Sequence, residues 1–290
     1  MFRTPQQDWF HTSNSAQPTQ WSIRYHGTAG FTVSSQQTNI VLDPFVTRPS
    51  LLSTALRPLR PNASAIANHF PAADAVLVGH AHHDHVLDAP EVCSQTGAQF
   101  VGGPDAANVA RAAGLPERQI VETCGKEDLH FGPATVRGIP SRHGRVYFGQ
   151  VTLPGTIDLP PPWPPRVWQL RHGAVLNWHV SLGGIRVVHI DSADVIDEEL
   201  EGLKADVVCL CAIGRRYRPG YVQSVVERLR PRWVIPCHWD WFFTPYDSPA
   251  RLLPGVDLPG FIREIEKCGA QPILLPFGGQ LNLSESDFSK

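Results

Sequence analysis

The sequence predicts an α/β protein, and three observations carry that reading. Short apolar, β-branched runs recur along the chain at 75–79, 185–190, 206–211 and 233–236, each of strand length. Helix signatures lie between and beyond them. The plainest is 104–113, with proline at its start, alanine-rich filling and Gly114 at its end. Third, several of the strands run directly into histidine or aspartate.

Taken in order, residues 1–20 are polar and lack the apolar stretch of a secretory signal. They read as a loosely held arm, with Trp9 and Phe10 able to dock, ahead of a single domain over 21–290. Residues 22–25 begin the folded part, and 26–31 form a glycine-marked turn into a second strand. Residues 39–42 are a third strand, ended by Asp43-Pro44. His26 is read as structural. Residues 46–73 are rich in proline, arginine and small polar residues, and read as an irregular excursion near the mouth of a site.

The strand 75–79 then delivers His80, Ala81, His82, His83, Asp84 and His85. Four histidines and an aspartate in six positions make a poor surface and a worse core. His80 and His82, two apart in extended chain, point the same way. Imidazole nitrogens and carboxylate oxygens are what a borderline divalent ion such as zinc takes as ligands. Without a cation, such a cluster would repel itself once protonated.

Further on, a helix starts at 90–95, 99–101 is a strand, and 128–139 is a pair of short strands around Gly132-Pro133. His143 lies just past the second of these. His172, ahead of the strand 174–180, is its rival as a ligand. Between the two histidines, 154–168 holds six prolines with Trp163 and Trp168. It can be neither helix nor central strand, and is either a lip over the cleft or a surface loop. The strand 185–190 leads to Asp191. Asp194 reads as a helix cap and His189 as a strand side chain. Cys209 and Cys211 read as buried thiols. Arg215, Arg216, Tyr217 and Arg218 follow a strand end, where they could clamp a phosphate or carboxylate, or simply be a solvated loop. The strand 233–236 leads to Cys237, His238, Trp239 and Asp240. A helix over 257–268 and strands at 272–275 and 280–283 close the chain.

The pattern His-x-His-x-Asp-His after an apolar strand resembles the signature of the metallo-β-lactamase superfamily, and the separated positions above agree with it in order. The resemblance covers roughly residues 22 to 283. It implies an αβ/βα sandwich of two mixed β-sheets flanked by helices, with metal in a cleft at the sheet edges. It implies two divalent ions, with zinc suiting the ligands and manganese or iron still open. One would be held by His80, His82 and His143, the other by Asp84, His85 and His238, with Asp191 bridging. Asp84 and Asp191 would also take part in catalysis. The expected activity is hydrolysis by a metal-held hydroxide, with no Gly-x-Ser-x-Gly elbow in the chain to suggest a serine nucleophile. The Asp43-Pro44 turn and the His238-Trp239-Asp240 ending are similar to the lactonase-like and phospholipase-D-like branch. A phosphodiester, a lactone or another small ester is therefore expected ahead of a β-lactam, with Arg215, Arg216, Tyr217 and Trp239 as candidate substrate contacts. The alternative is a non-hydrolytic two-metal protein, either redox di-iron or binding. Flavodiiron proteins resemble this chain less, because they carry a glutamate where His82 stands and a flavin domain follows.

Composition bounds the rest. The 290 residues are 42% hydrophobic and 18% charged, as in a globular protein rather than a disordered one. A net charge of −2 argues against nucleic acid as the main partner and leaves a small molecule as the expected one. No apolar run reaches the roughly 18–20 residues of a membrane helix. Six scattered cysteines without a Cys-x-x-Cys pair suit reduced thiols, hence a cytoplasmic location.

Overall fold

Large apolar residues alternate inward along 21–42, and the chain there doubles back twice as β1 (Trp21–Tyr25), β2 (Phe31–Ser35) and β3 (Asn39–Leu42). The computed structural model describes residues 3–11 and 19–288. The chain then turns parallel. β4 (Ala75–Val78), β5 (Gln99–Gly102) and β6 (Ile120–Glu122) extend the same sheet from β3. All four residues of β4 are buried, as expected of a parallel strand covered on both faces.

The second sheet begins with the antiparallel run β7 (Asp128–Phe131), β8 (Ala134–Pro140), β9 (Leu176–Leu182) and β10 (Ile185–Ile190). It continues in parallel through β11 (Val207–Cys211), β12 (Trp233–Cys237) and β13 (Gln271–Pro272). β14 (Gln280–Leu283) returns to the first sheet and pairs with β1. The orders are β14-β1-β2-β3-β4-β5-β6 and β13-β12-β11-β10-β9-β8-β7, seven strands each. The sheets face one another: the Phe31 ring meets His189 edge-on, and His189 Nε2 lies 2.8 Å from the Ala29 carbonyl.

Helices follow the strands of the first sheet in the order α1 (Leu51–Leu56), α2 (Ala63–His69), α3 (His83–Val86), α4 (Ala89–Thr96) and α5 (Pro104–Ala112), of which α4 and α5 pack on the sheet and α2 packs on α4. On the second, α6 (Tyr221–Leu229) buries Val222, Val225, Val226 and Leu229, and α7 (Leu258–Lys267) buries Phe261 and Ile265. This is an αβ/βα sandwich.

Two sequence expectations need correcting. The supposedly irregular stretch 46–73 contains α1 and α2. Each is nucleated by a cap: the Ser50 hydroxyl accepts from Ser53 N–H and the Asn62 side chain from Ala65 N–H, both at 3.2 Å. Both helices are too short for periodicity to reveal. The closing strand expected at 272–275 is reduced to the two residues of β13. Of the arm expected over 1–20, residues 1–2 and 12–18 lie outside the described residues. The described part is tied down. Leu252 N–H donates to the Arg3 carbonyl, His11 N–H donates to the Leu274 carbonyl, and the Phe10 ring packs 6.1 Å from Trp239.

Candidate metal centre

Strands β4, β8, β10 and β12 end at one edge of the sandwich, and each releases ligand-type residues there. Leaving β4, the chain is pinned at Gly79, whose N–H donates to Asp43 Oδ1 at 2.7 Å and whose carbonyl accepts from Leu176 N–H at 2.8 Å. His80 and His82 follow, and α3 turns Asp84 and His85 back toward them. His143 comes from beyond β8, Asp191 from the end of β10, and His238 from the end of β12.

Their ligand atoms gather into three sets, each within 4.8 Å: His80, His82 and His143; Asp84, His85 and His238; and His80, His85 and Asp191. The first two are the two triads read from the sequence. The third takes one member of each triad and joins them through Asp191. His80 Nδ1 lies 2.6 Å from Asp191 Oδ2, and His85 Nδ1 lies 3.7 Å from the same oxygen. His238 Nε2 is 3.3 Å from Asp84 Oδ2. Every member is buried except His143, which is partly so.

Protonation fits the donor set. Burial, then the neighbouring imidazoles, hold His80 and His82 well below the usual histidine range. Burial brings His143 down to about 4. These imidazoles are neutral, as ligation requires. Asp84 resists its burial: His85, His83 and His238 keep its carboxyl well below the ordinary carboxylate range. His85 is the exception. Burial works against its charge, but Asp43, Asp84 and Asp191 outweigh burial and push it up to about 9. Buried carboxylates here demand a positive charge, which His85 can meet only by holding a proton that a metal cation would replace.

Orphaned atoms point the same way. His82 Nε2, His238 Nδ1 and Asp191 Oδ1 are buried without a hydrogen-bond partner. Native interiors rarely leave such groups unmet; a cation would answer Asp191 Oδ1, whereas His82 and His238 turn their other ring nitrogens, Nδ1 and Nε2, toward the cluster. The backbone is strained beside them, with φ of +52° at His238 and +41° at Asp43. Non-glycine residues pay that cost mainly where position matters.

The sequence reading missed the supporting residues. Asp43 was read only as a turn, yet its Oδ2 lies 2.8 Å from His85 Nδ1 and fixes that ring. Asp240 is fully buried, accepts from Thr28 N–H and Tyr25 O–H, and pairs with Arg48. Through Thr28, whose carbonyl accepts from His238 N–H, it sets the His238 turn. A buried carboxylate two residues after a ligand was the available signal. Asp43→Asn, which places an amide against His85 Nδ1, is expected to lower metal affinity about 10- to 100-fold. Titration with a chromophoric chelator checks this.

The substrate contacts expected from sequence are placed elsewhere. Arg215 turns away from the cavity to pair with Asp257 and Glu264 beside α7. Arg216 lies over the Tyr217 ring and donates to its hydroxyl. Trp239 is fully buried among Phe10, Tyr25 and Phe277. The cavity beside the ligands, of about 560 Å³, is walled instead by Leu51, Val146, Tyr147, Leu153, Ile213, Trp241, Phe242 and Phe243. None of the proline-rich residues 154–168 lines this cavity, which stops at Leu153, and Trp163 lines a separate surface hollow. His172 stacks on His143 with ring centroids 5.5 Å apart and belongs to none of the three ligand sets. Arg215→Ala is expected to leave kcat/KM on anionic and neutral substrates alike within about threefold, measured side by side.

The profile of the Beta-lactamase superfamily domain matches residues 22–238. The chain belongs to the metallo-β-lactamase superfamily. A UPF0173 metal-dependent hydrolase of Desulfitobacterium hafniense is 27% identical over 224 residues, covering 76% of this chain and 84% of that protein. Among solved structures, a metallo hydrolase of Ignicoccus hospitalis superposes with a TM-score of 0.60 at 17% identity, covering 91% of this chain and 98% of that one. A diiron β-hydroxylase of Streptomyces venezuelae superposes with a TM-score of 0.61 at 16% identity, over 92% of this chain and 55% of its own. At such identities the two superpositions speak for the fold alone. As a member of the metallo-β-lactamase superfamily, the chain is a metal-dependent hydrolase.

Proposed function

We propose that this metallo-β-lactamase-superfamily member is a two-metal hydrolase of neutral, apolar carbonyl esters, lactones among them. One observation carries the choice of substrate: the cavity at the ligands is walled by aliphatic and aromatic side chains, and among the described residues no lysine or arginine lines it. A phosphodiester's negative charge would be met by the ions alone, with no cationic side chain in the wall to add to them. A lactone or aliphatic ester offers a neutral carbonyl and an apolar body that such walls favour.

His80, His82 and His143 would hold one ion and Asp84, His85 and His238 the other, with Asp191 between them. Ions so held would supply a water of near-neutral pKa and a positive field for the attacked carbonyl. Zinc suits the imidazole-rich set. The chain's own part is positioning. Asp43 holds His85 by its Nδ1, leaving Nε2 toward Asp84. Asp84, kept ionised in the cavity wall, can accept a hydrogen bond from the attacking water at a carboxylate oxygen and so orient it. Phe242 and Phe243, in contact with each other, close one side and keep bulk water from the carbonyl. Six unpaired cysteines support a reducing compartment, and a cytoplasmic location is proposed on that ground.

The test is a paired assay on zinc- and manganese-loaded protein, with an aliphatic lactone and an activated phosphodiester side by side. Faster lactone opening is expected. A phosphodiester cleaved faster than the lactone would overturn the substrate assignment.

A further inference from the structure

Two segments frame the mouth of the cavity, 45–73 and 141–173, and each contributes to its wall, Leu51 from α1 and Tyr147 from the other side. Both also carry large apolar side chains outward. Leu52 is 70% exposed, Leu56 63% and Phe148 94%, and Leu51, Tyr147 and Trp168 are substantially exposed as well. The two segments are contiguous. The Arg166 guanidinium lies 5.2 Å over the Trp168 ring and donates to the Leu56 carbonyl. Phe148 reaches solvent from a left-handed backbone, φ +58°, a cost that a non-glycine residue bears only where the neighbouring structure imposes it.

Charge is arranged around these side chains. The two segments contain seven arginines and a single acidic residue, Asp158, in a chain whose 27 acidic residues otherwise outnumber its 25 basic ones. Arg48 is buried against Asp240. The other six, Arg57, Arg60, Arg142, Arg145, Arg166 and Arg171, are exposed. The segments that carry the apolar rim thus also carry six exposed arginines, on a molecule of net charge −2.

We propose that this face docks onto an anionic lipid bilayer. Leucine, phenylalanine and tryptophan side chains enter the boundary between headgroup and acyl chain, while arginines pair with lipid phosphates. A second copy of the chain is a poorer occupant, because a two-fold contact would bring one arginine-rich rim against another.

The experiment is flotation of the full chain with vesicles of phosphatidylcholine alone and of phosphatidylcholine with phosphatidylglycerol. Binding to the mixed vesicles only is expected, weakening as salt screens the arginines. Arg57→Gln with Arg145→Gln, the latter beside the rim residues Val146 and Tyr147, is expected to weaken it about 25-fold, at roughly fivefold per arginine. Leu52→Ser with Phe148→Ser is expected to weaken it as well, while Arg263→Gln, on the exposed face of α7, leaves it unchanged. The altered side chains are exposed, so unchanged circular dichroism keeps each comparison valid. Equal binding to both vesicle types, or binding to neither, overturns the proposal. So does a dimer in sedimentation equilibrium that the Leu52 and Phe148 changes dissolve while vesicles are ignored. No turnover is read, so failure here leaves the hydrolase assignment standing, and the reverse holds too.

Discussion

Asp191→Ala is expected to lose bound metal and at least about a thousandfold in turnover together. The carboxylate is buried, with Oδ2 2.6 Å from His80 Nδ1 and Oδ1 without a partner. It is the residue that shares a ligand set with one member of each triad. Removing it uncouples the two triads and leaves His80 and His85 facing one another, with ring centroids 3.9 Å apart. Asp43 and Asp84 remain beside His85, but the negative charge between the triads, which makes a pair of cations tolerable in a buried site, is gone. Asp194→Ala serves as the control. Asp194 lies three residues on and pairs with Arg218, away from the ligands, so its loss is expected to leave metal content unchanged. The measurement is metal stoichiometry by elemental analysis alongside kcat. Full occupancy with undiminished turnover in Asp191→Ala would remove Asp191 from the centre. Full occupancy with lost turnover would assign the carboxylate to the chemistry and not to holding metal.

The ligand set was legible because its signal is local. A strand announces itself by four or five apolar residues, and a histidine or aspartate at its carboxyl end stands out against them. His80, His143, Asp191 and His238 each follow that rule, and the fold brings the strand ends to one edge. Directions were harder to read than positions. Arg215 also follows a strand end, but Gly214, at φ +86°, turns the chain away from the cleft and toward the acidic residues beside α7. Trp239 is adjacent to His238, yet it enters the core while the histidine faces the cavity. The left-handed backbone at His238, φ +52°, turns the chain between the two side chains, a reversal that the sequence does not announce. The aromatic wall of Trp241, Phe242 and Phe243 gave no signal, since apolar residues after a strand look the same whether they line a cavity or fill a core. Asp43 was overlooked for a different reason. Its partner His85 lies 42 positions away, and only the parallel pairing of β3 with β4 sets their chain segments side by side.

Gly79→Ala is expected to damage the centre almost as severely, although the residue carries no ligand. A Cβ there would lie 2.2 Å from Asp191 Oδ2, 2.8 Å from Asp191 Cγ and 3.1 Å from the Leu176 carbonyl oxygen. None of these can yield cheaply. The carboxylate is held by His80, and Leu176 is tied to Gly79 itself through its own N–H. The methyl group therefore takes the space that the joining carboxylate occupies, at an overpacking cost of about 1–3 kcal/mol. Displacing the carboxylate should lower metal affinity by at least about a hundredfold, toward the upper end of what disturbing a ligand's supports costs. Gly97→Ala separates this from general destabilisation. Gly97 ends α4 at φ +80°, and a Cβ there would meet nothing within 4 Å. Alanine there costs backbone strain of about 1 kcal/mol without reaching the ligands, so its metal affinity is expected to match the wild type. If both variants lose thermal stability but only Gly79→Ala loses metal, the strand's last glycine is there because the carboxylate sits where its side chain would be. If Gly79→Ala keeps metal at wild-type affinity, Asp191 has room to move and does not join the triads in the way its position indicates.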